Sequence, residues 1–244
     1  MSPRDRLIVA LDLPSWQGAE GMIDRLQGKV HLFKVGLQLF TADGPPVIAR
    51  IRERGGRVFL DLKFHDIPQT VASAAATAVE WGVFMMDLHL AGGREMIRAA
   101  AEAVAEKAEA MGVERPRLLG VTVLTSLAQA DLETLGVTKG VEEQVLSLAR
   151  LAQEGGLDGV VASPREAAVI RRHLGPGLLL VTPGIRSRAA TTDDQHRVAT
   201  ARDALRAGAD YVVVGRPILK AADPAEAVEK LVAEMEDPVK GGQR

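Results

Sequence analysis

RVFLDLKFHDIPQT, residues 57–70, begins as a buried strand and then places charge where a strand should stay apolar. Val58, Phe59, Leu60 and Leu62 make the apolar run, yet Asp61 and Lys63 sit inside it. Two residues apart on an extended chain, the acid and the amine leave the same face. Asp66 follows three residues later, where Ile67-Pro68 stops the strand and opens a helix. Burying an acid beside an amine is costly unless the two pair or do chemistry. A structural ion pair at a strand end is one reading; a site is the other.

The rest of the chain bears on that choice. Apolar runs recur at 7–13, 31–37, 84–90, 117–126, 159–164, 178–186 and 211–219, with helical stretches between them. The spacing predicts helices after Pro14-Ser15 to residue 26, over 44–54, 68–82, 93–111, 141–154, 165–174, 196–207 and 224–235. Residues 127–140 and 187–195 show neither period, and 236–244 reads as a frayed tail. Strands that are apolar throughout, rather than alternating, belong to parallel sheets covered on both faces. Eight of them alternating with eight helices, with no linker or shift in composition, predict a single (β/α)8 TIM barrel over residues 1–244, its core at about 7–235. A doubly wound open sheet is the alternative.

In a barrel the chemistry gathers at the C-terminal ends of the strands. Asp12, Lys34, Asp61, Lys63, Asp66, Thr125, Arg186 and Arg216 all fall there by this reading, which favours a site over an isolated ion pair. Asp12, Lys34, Asp61 and Lys63 end the first three strands, so a row of alternating acids and amines is available. Carboxylates favour the charged form of a lysine set between them. Such an ammonium suits delivery of a proton to a developing carbanion. Asp61, Asp66, Asp87 and His89 also carry donors that some barrel enzymes give to a metal. Two lysines in the same cluster already supply positive charge, and the reading without a metal is preferred. His65, His31, His173 and His196 show no spacing that suggests a site. At the other end, Gly215-Arg216 follows the apolar Val212-Val213-Val214, and Pro217 can start a short helix. The loops after strands seven and eight of such barrels commonly take phosphate through backbone N–H groups and a basic side chain. Arg186, closing the PGIR turn, is a second candidate.

Composition narrows the class of partner. The chain has 244 residues, 47% hydrophobic and 25% charged, with a formal net charge of −2. These values suit a globular protein with a sizeable core and give no reason to expect nucleic acid or a membrane surface. No apolar run approaches the ~18 residues of a membrane span, and the first residues lack a signal-peptide pattern, so a cytoplasmic protein is expected. With no cysteine, disulfides, thiolate metal sites and cysteine nucleophiles are excluded. There is no GxGxxG and no P-loop.

The D-x-K-x-x-D-I-P run of Asp61, Lys63, Asp66, Ile67 and Pro68 resembles the signature of the orotidine 5′-phosphate decarboxylase family. Other segments agree in order and spacing: ALD with Asp12, FKVG with Lys34, VTVLTS with Thr125, TPGIR with Arg186 and VVGRPI with Gly215 and Arg216. Gln195, nine residues past Arg186, fits the family's phosphate-gripping glutamine. The resemblance covers about residues 7–220. Sugar-phosphate decarboxylases and aldolase-like synthases of the same superfamily share the D-x-K-x-x-D element, but usually carry an acidic metal ligand where this chain has Lys34. A non-catalytic phosphate-sugar binding barrel is a further alternative, which leaves a buried lysine beside two carboxylates without a purpose.

The resemblance implies conversion of orotidine 5′-monophosphate to UMP and CO2 without a cofactor, the last step of pyrimidine nucleotide synthesis. It assigns Lys63 as proton donor to C6 and Asp61 as the carboxylate facing the departing CO2. Lys34 and Asp12 hold ribose hydroxyls and the charge row, and Thr125 and Ser126 face the base. Pro183 joins the substrate contacts, while Arg186, Gln195, Gly215 and Arg216 take the phosphate and residues 187–195 close as a lid. It also implies a homodimer in which Asp66, Ile67 and Thr70 reach the neighbouring site, with Asp66 completing the charge row.

Overall fold

The computed structural model describes residues 1–185 and 199–236. Among these residues eight strands close into a parallel barrel in the order of the sequence: β1 (Leu7–Ala10), β2 (Leu32–Gly36), β3 (Arg57–Phe64), β4 (Met85–His89), β5 (Arg117–Val121), β6 (Gly159–Val161), β7 (Leu179–Thr182) and β8 (Tyr211–Val214), with β8 pairing back onto β1. Closure rules out the open doubly wound sheet.

Alternation along each strand sorts its side chains into two cores. Ile8 and Ala10 of β1, Leu32 of β2, Phe59 of β3, Met85 of β4 and Leu119 of β5 point inward and fill the barrel with Val181, Tyr211 and Val213. Their neighbours Leu7, Val9, Phe33, Val58, Leu60, Met86 and Leu88 point outward, beneath the helices. This double burial is why the strands read as continuous apolar runs. It also fixes where the charges go. One inward step beyond Leu32 is Lys34, one beyond Phe59 is Asp61, and one beyond Met85 is Asp87.

The outer ring consists of α1 (Trp16–Arg25), α2 (Leu37–Asp43), α3 (Pro46–Glu53), α4 (Pro68–Glu80), α5 (Gly93–Met111), α6 (Gln129–Thr134), α7 (Val141–Glu154), α8 (Pro164–Leu174), α9 (Ala201–Arg206), α10 (Arg216–Leu219) and α11 (Pro224–Glu236). Local chemistry sets their ends. The Ser15 hydroxyl accepts the Gly18 N–H at the start of α1. Pro68 opens α4 from an extended Ile67, and α5 stops at Gly112, whose φ of 64° suits a residue without Cβ.

Three of these helices correct the sequence reading. α2 and α6 each bury one residue, Leu39 and Leu132, too few to show a helical period. Arg216–Leu219, included in the 211–219 strand although Pro217 was read as able to start a short helix, forms that helix, α10, with the Ile218 and Leu219 N–H groups donating to the Gly215 carbonyl. Several strands also stop earlier than their apolar runs: β1 at Ala10 rather than 13, β5 at Val121 rather than 126, and β7 at Thr182. Leu11 and Val123 stay buried without belonging to a strand, because their side chains still pack in the outer core beneath the helices. Residues 237–244 of the expected tail and 196–198 of the expected seventh helix lie outside the described residues, and the described part of that helix begins at Ala201.

Candidate active site

At the C-terminal mouth of the barrel lies a cavity of about 270 Å³, near the lower end for pockets that hold small molecules. Ala10, Phe59, Val161 and Val213 form its apolar floor, and Asp12, Lys34, Asp61 and Lys63 stand along one wall. Thr125, Pro183, Gly184, Gly215 and Arg216 line the remainder.

The wall is a continuous chain of ion pairs. Lys34 Nζ donates to Asp12 Oδ1 at 2.9 Å and lies 3.0 Å from Asp61 Oδ2. Asp61 Oδ1 in turn accepts from Lys63 Nζ. Strand register explains the meeting. Lys34 pairs with Phe59 and Gly36 with Asp61 across β2 and β3, so the two inward-facing side chains stand on adjacent strands, one step apart. Gly36 makes the room. A Cβ built on it would come within 2.8 Å of Lys34 Nζ and 3.3 Å of Asp12 Oδ1.

Burial and charge oppose each other here, and charge wins for the central pair. Burial pushes the Lys34 ammonium toward its neutral form, but Asp61 and Asp12 together raise its pKa above the ordinary lysine value. Burial likewise pushes Asp61 up, but Lys34 and Lys63 outweigh it and hold the carboxyl below the usual range. Asp12 is the open end of the chain, its side chain 53% exposed toward the mouth.

Lys63 arrives by an irregular backbone. β3 pairs with β4 at Leu60–Met86 and again at Phe64–Leu88, so β3 carries two extra residues between those points. Lys63, with φ 51°, is the one described non-glycine residue in the left-handed region. Its amide donates to Asp87 Oδ1 at 2.8 Å.

The cavity thus brings together Asp12, Lys34, Asp61, Lys63, Thr125, Pro183, Gly215 and Arg216 from the residues singled out by sequence. Asp66, Ile67, Thr70 and Ser126 are exposed and outside its lining. Asp66 Oδ1 accepts the Ile67 N–H at 2.6 Å, and Ile67 is 67% exposed. Arg186, Gln195 and the expected lid at 187–195 lie outside the described residues. Among the described residues no three His, Cys, Asp or Glu are placed to hold a metal ion.

Residues 5–231 match the family described as "Orotidine 5'-phosphate decarboxylase / HUMPS family". The chain belongs to that family. Two relatives named orotidine 5′-phosphate decarboxylase span it almost end to end. The one from Moorella thermoacetica is 51% identical over 97% of this chain and 94% of its own. The one from Syntrophotalea carbinolica is 53% identical over 95% of each. A crystal structure of orotidine 5′-phosphate decarboxylase from Lactobacillus acidophilus superposes with a TM-score of 0.85 at 36% identity, covering 96% of this chain and all of that one.

Within this decarboxylase-family barrel, sequence reasoning passed over two residues that shape the wall. Gly36 was quoted in FKVG without a role, and its signal was a glycine two residues past a strand lysine. Asp87 was noted on the fourth strand as an alternative metal ligand; its inward step beyond Met85 was the available clue. His65, whose spacing suggested no site, stacks on His89 with ring centroids 5.2 Å apart. Burial, then the nearby His65 and Lys63, hold His89 below the ordinary imidazole value.

Proposed function

We propose that this chain decarboxylates orotidine 5′-monophosphate to UMP and CO2, as the resemblance of its motifs implies and as its family and the names of its relatives support. The observation that carries the reading is the chain Asp12–Lys34–Asp61–Lys63 along one wall of the cavity. Loss of CO2 breaks the bond between the ring carbon and the carboxylate and leaves the electron pair in the plane of the ring, where no π system accepts it. A fixed cation at that carbon must then stabilise the charge, and its proton completes the product. Lys63 takes this role: its Nζ is held by Asp61 and faces the cavity. UMP leaves with the proton from Lys63, which water restores. Asp61 faces the departing carboxylate, and Lys34 with Asp12 hold the ribose hydroxyls.

Thr125, Ser126 and Pro183 flank the base, and Gly215, Arg216, Arg186 and Gln195 take the phosphate. This contact far from the reacting carbon positions the ring against Lys63. We also infer a homodimer in the cytoplasm. Asp66, Ile67 and Thr70 are exposed and outside their own cavity, which supports their service to a neighbour's site. Among the described residues no helix is long and apolar enough to cross a membrane.

The test is an absorbance assay with orotidine 5′-monophosphate in the presence of a chelator, with UMP identified chromatographically. Turnover to UMP with chelator present is expected. Absence of turnover by well-folded protein overturns the reading.

A further inference from the structure

Behind the charge wall stands a carboxyl that the proposed reaction leaves unused. Asp87 is fully buried, on the inward face of β4 beyond Met85 and opposite Leu119, and it does not line the cavity. One of its oxygens, Oδ1, accepts the Lys63 N–H at 2.8 Å. That bond lies inside the bulge, between the Leu60–Met86 and Phe64–Leu88 pairs, and it receives an amide that the bulge has removed from the ladder. The backbone it fixes is the one held at φ 51°, and the side chain on that backbone is the proton donor.

The other oxygen, Oδ2, is buried and meets no hydrogen-bond donor among the described residues. The group that Asp87 faces is the Asp61 carboxyl. Two buried carboxyls in contact do not both ionise; they share a proton. Asp61 has Lys34 and Lys63 against it, whereas Asp87 has neither lysine ammonium as a salt-bridge partner, so the proton belongs on Asp87. Burial, then the charge of Asp61, raise the Asp87 carboxyl well above the usual carboxylate range. A proton on Oδ2 also gives that oxygen the hydrogen bond it otherwise lacks.

We propose that Asp87 is a positioning residue for the reacting pair, bridging the Lys63 amide through Oδ1 and the Asp61 carboxylate through a proton on Oδ2. It fixes the backbone beneath the proton donor and the carboxylate that orients its ammonium, without touching substrate. The proposal rests on the decarboxylation reading. It requires a group at position 87 that accepts at one end and donates at the other. A carboxylic acid does both, and so does a carboxamide.

Asp87→Asn and Asp87→Leu separate this role from mere filling of the interior. Asparagine is expected to keep kcat within about tenfold of wild type. Leucine, branched at the same Cγ but with neither function, is expected to lower kcat by about 100-fold, the cost of misplacing a reacting group by roughly an ångström. KM is expected to stay within about threefold, because the nucleotide contacts are untouched. Infrared spectra of protein carrying 13C-labelled aspartate should show a protonated-carboxyl band in wild type that Asp87→Asn lacks, a readout independent of activity and available even if the leucine variant fails to fold. An asparagine variant as impaired as the leucine one, a leucine variant that keeps kcat, or no such band in wild type overturns the proposal. Failure of wild type itself to decarboxylate is a different result, and overturns the function.

Discussion

Lys34 Nζ stands 3.0 Å from Asp61 Oδ2, and the two side chains are only 10% and 11% exposed. Each ion keeps its charge in the barrel because the other is there: burial would discharge both, and their mutual attraction with Asp12 and Lys63 reverses it. Removing one partner therefore strands the other.

Lys34→Ala is expected to destabilise the fold by about 3 kcal/mol, the lower end of the range for breaking a buried pair, because Lys63 still faces Asp61. The pH dependence has a definite sign. A carboxyl whose folded pKa is depressed contributes stability that is fully present above its unfolded value of about 3.9 and lost as pH falls through the folded value. A lysine raised in the fold contributes below about 10.4 and loses it as pH rises further. Urea midpoints for wild type and Lys34→Ala should thus differ by a constant amount from pH 5 to 9, and converge in acid below about pH 4. A gap that persists unchanged at pH 3 contradicts this account of the pair.

Lys63→Ala should abolish turnover while product UMP still binds, since the ammonium matters most as charge develops on carbon. Loss of kcat by about 10⁴-fold or more is expected, each tenfold being about 1.4 kcal/mol. Single-turnover kinetics and calorimetric titration with UMP check the two halves. A kcat within tenfold of wild type removes Lys63 as the donor.

Gly36→Ala probes the room left for the Lys34 ammonium. The backbone at Gly36 has φ −98°, which alanine adopts freely, so the effect is steric. The added methyl would sit 2.8 Å from Lys34 Nζ, and that nitrogen cannot swing aside without leaving Asp12 or Asp61. A kcat/KM reduced by about tenfold or more, roughly 1.4 kcal/mol, is expected together with a lowered thermal midpoint, since displacing the ammonium weakens the buried pair. Unaltered kinetics show that the pair shifts without consequence.

How far the sequence alone reaches is clear from these same residues. The barrel was legible because its strands are buried on both sides, and Asp61 and Lys63 were legible because charge interrupts an apolar run. Strand ends were misjudged at Leu11 and Val123, where side chains remain buried past the last paired residue of the strand. The bulge at Lys63 escaped notice because nothing in LDLKF distinguishes an extended lysine from one at positive φ. Asp87 looked like a possible ligand because sequence gives no register: only pairing places its carboxyl behind the Lys63 amide. α2 and α6 bury too little to announce themselves.

Arg216 lines the same cavity as the charge wall, at the start of α10. Arg216→Ala is expected to lower kcat/KM for orotidine 5′-monophosphate by about 2–4 kcal/mol, the range for removing one partner of a charge-assisted contact. The phosphate-free nucleoside orotidine makes no such contact, so its slow turnover should be the same in wild type and variant. Equal losses on both substrates would assign Arg216 to the fold instead of the phosphate.

Asp66 tests whether the site is shared between two chains. Its side chain accepts the Ile67 N–H, outside the lining of its own cavity, and Pro68 fixes the helix that follows. If Asp66 completes the charge row of a neighbour, each single variant, Lys63→Ala or Asp66→Ala, is inactive as a homodimer for a different reason. A mixed dimer has one site lacking both groups and one site with both intact. Random reassortment makes about half the dimers mixed, each with one good site of two, so activity should recover to about one quarter of wild type. The measurement is turnover after co-refolding equal amounts of the two variants, with exchange verified by native mass spectrometry. Mixed dimers without recovered activity would mean that Asp66 serves its own chain.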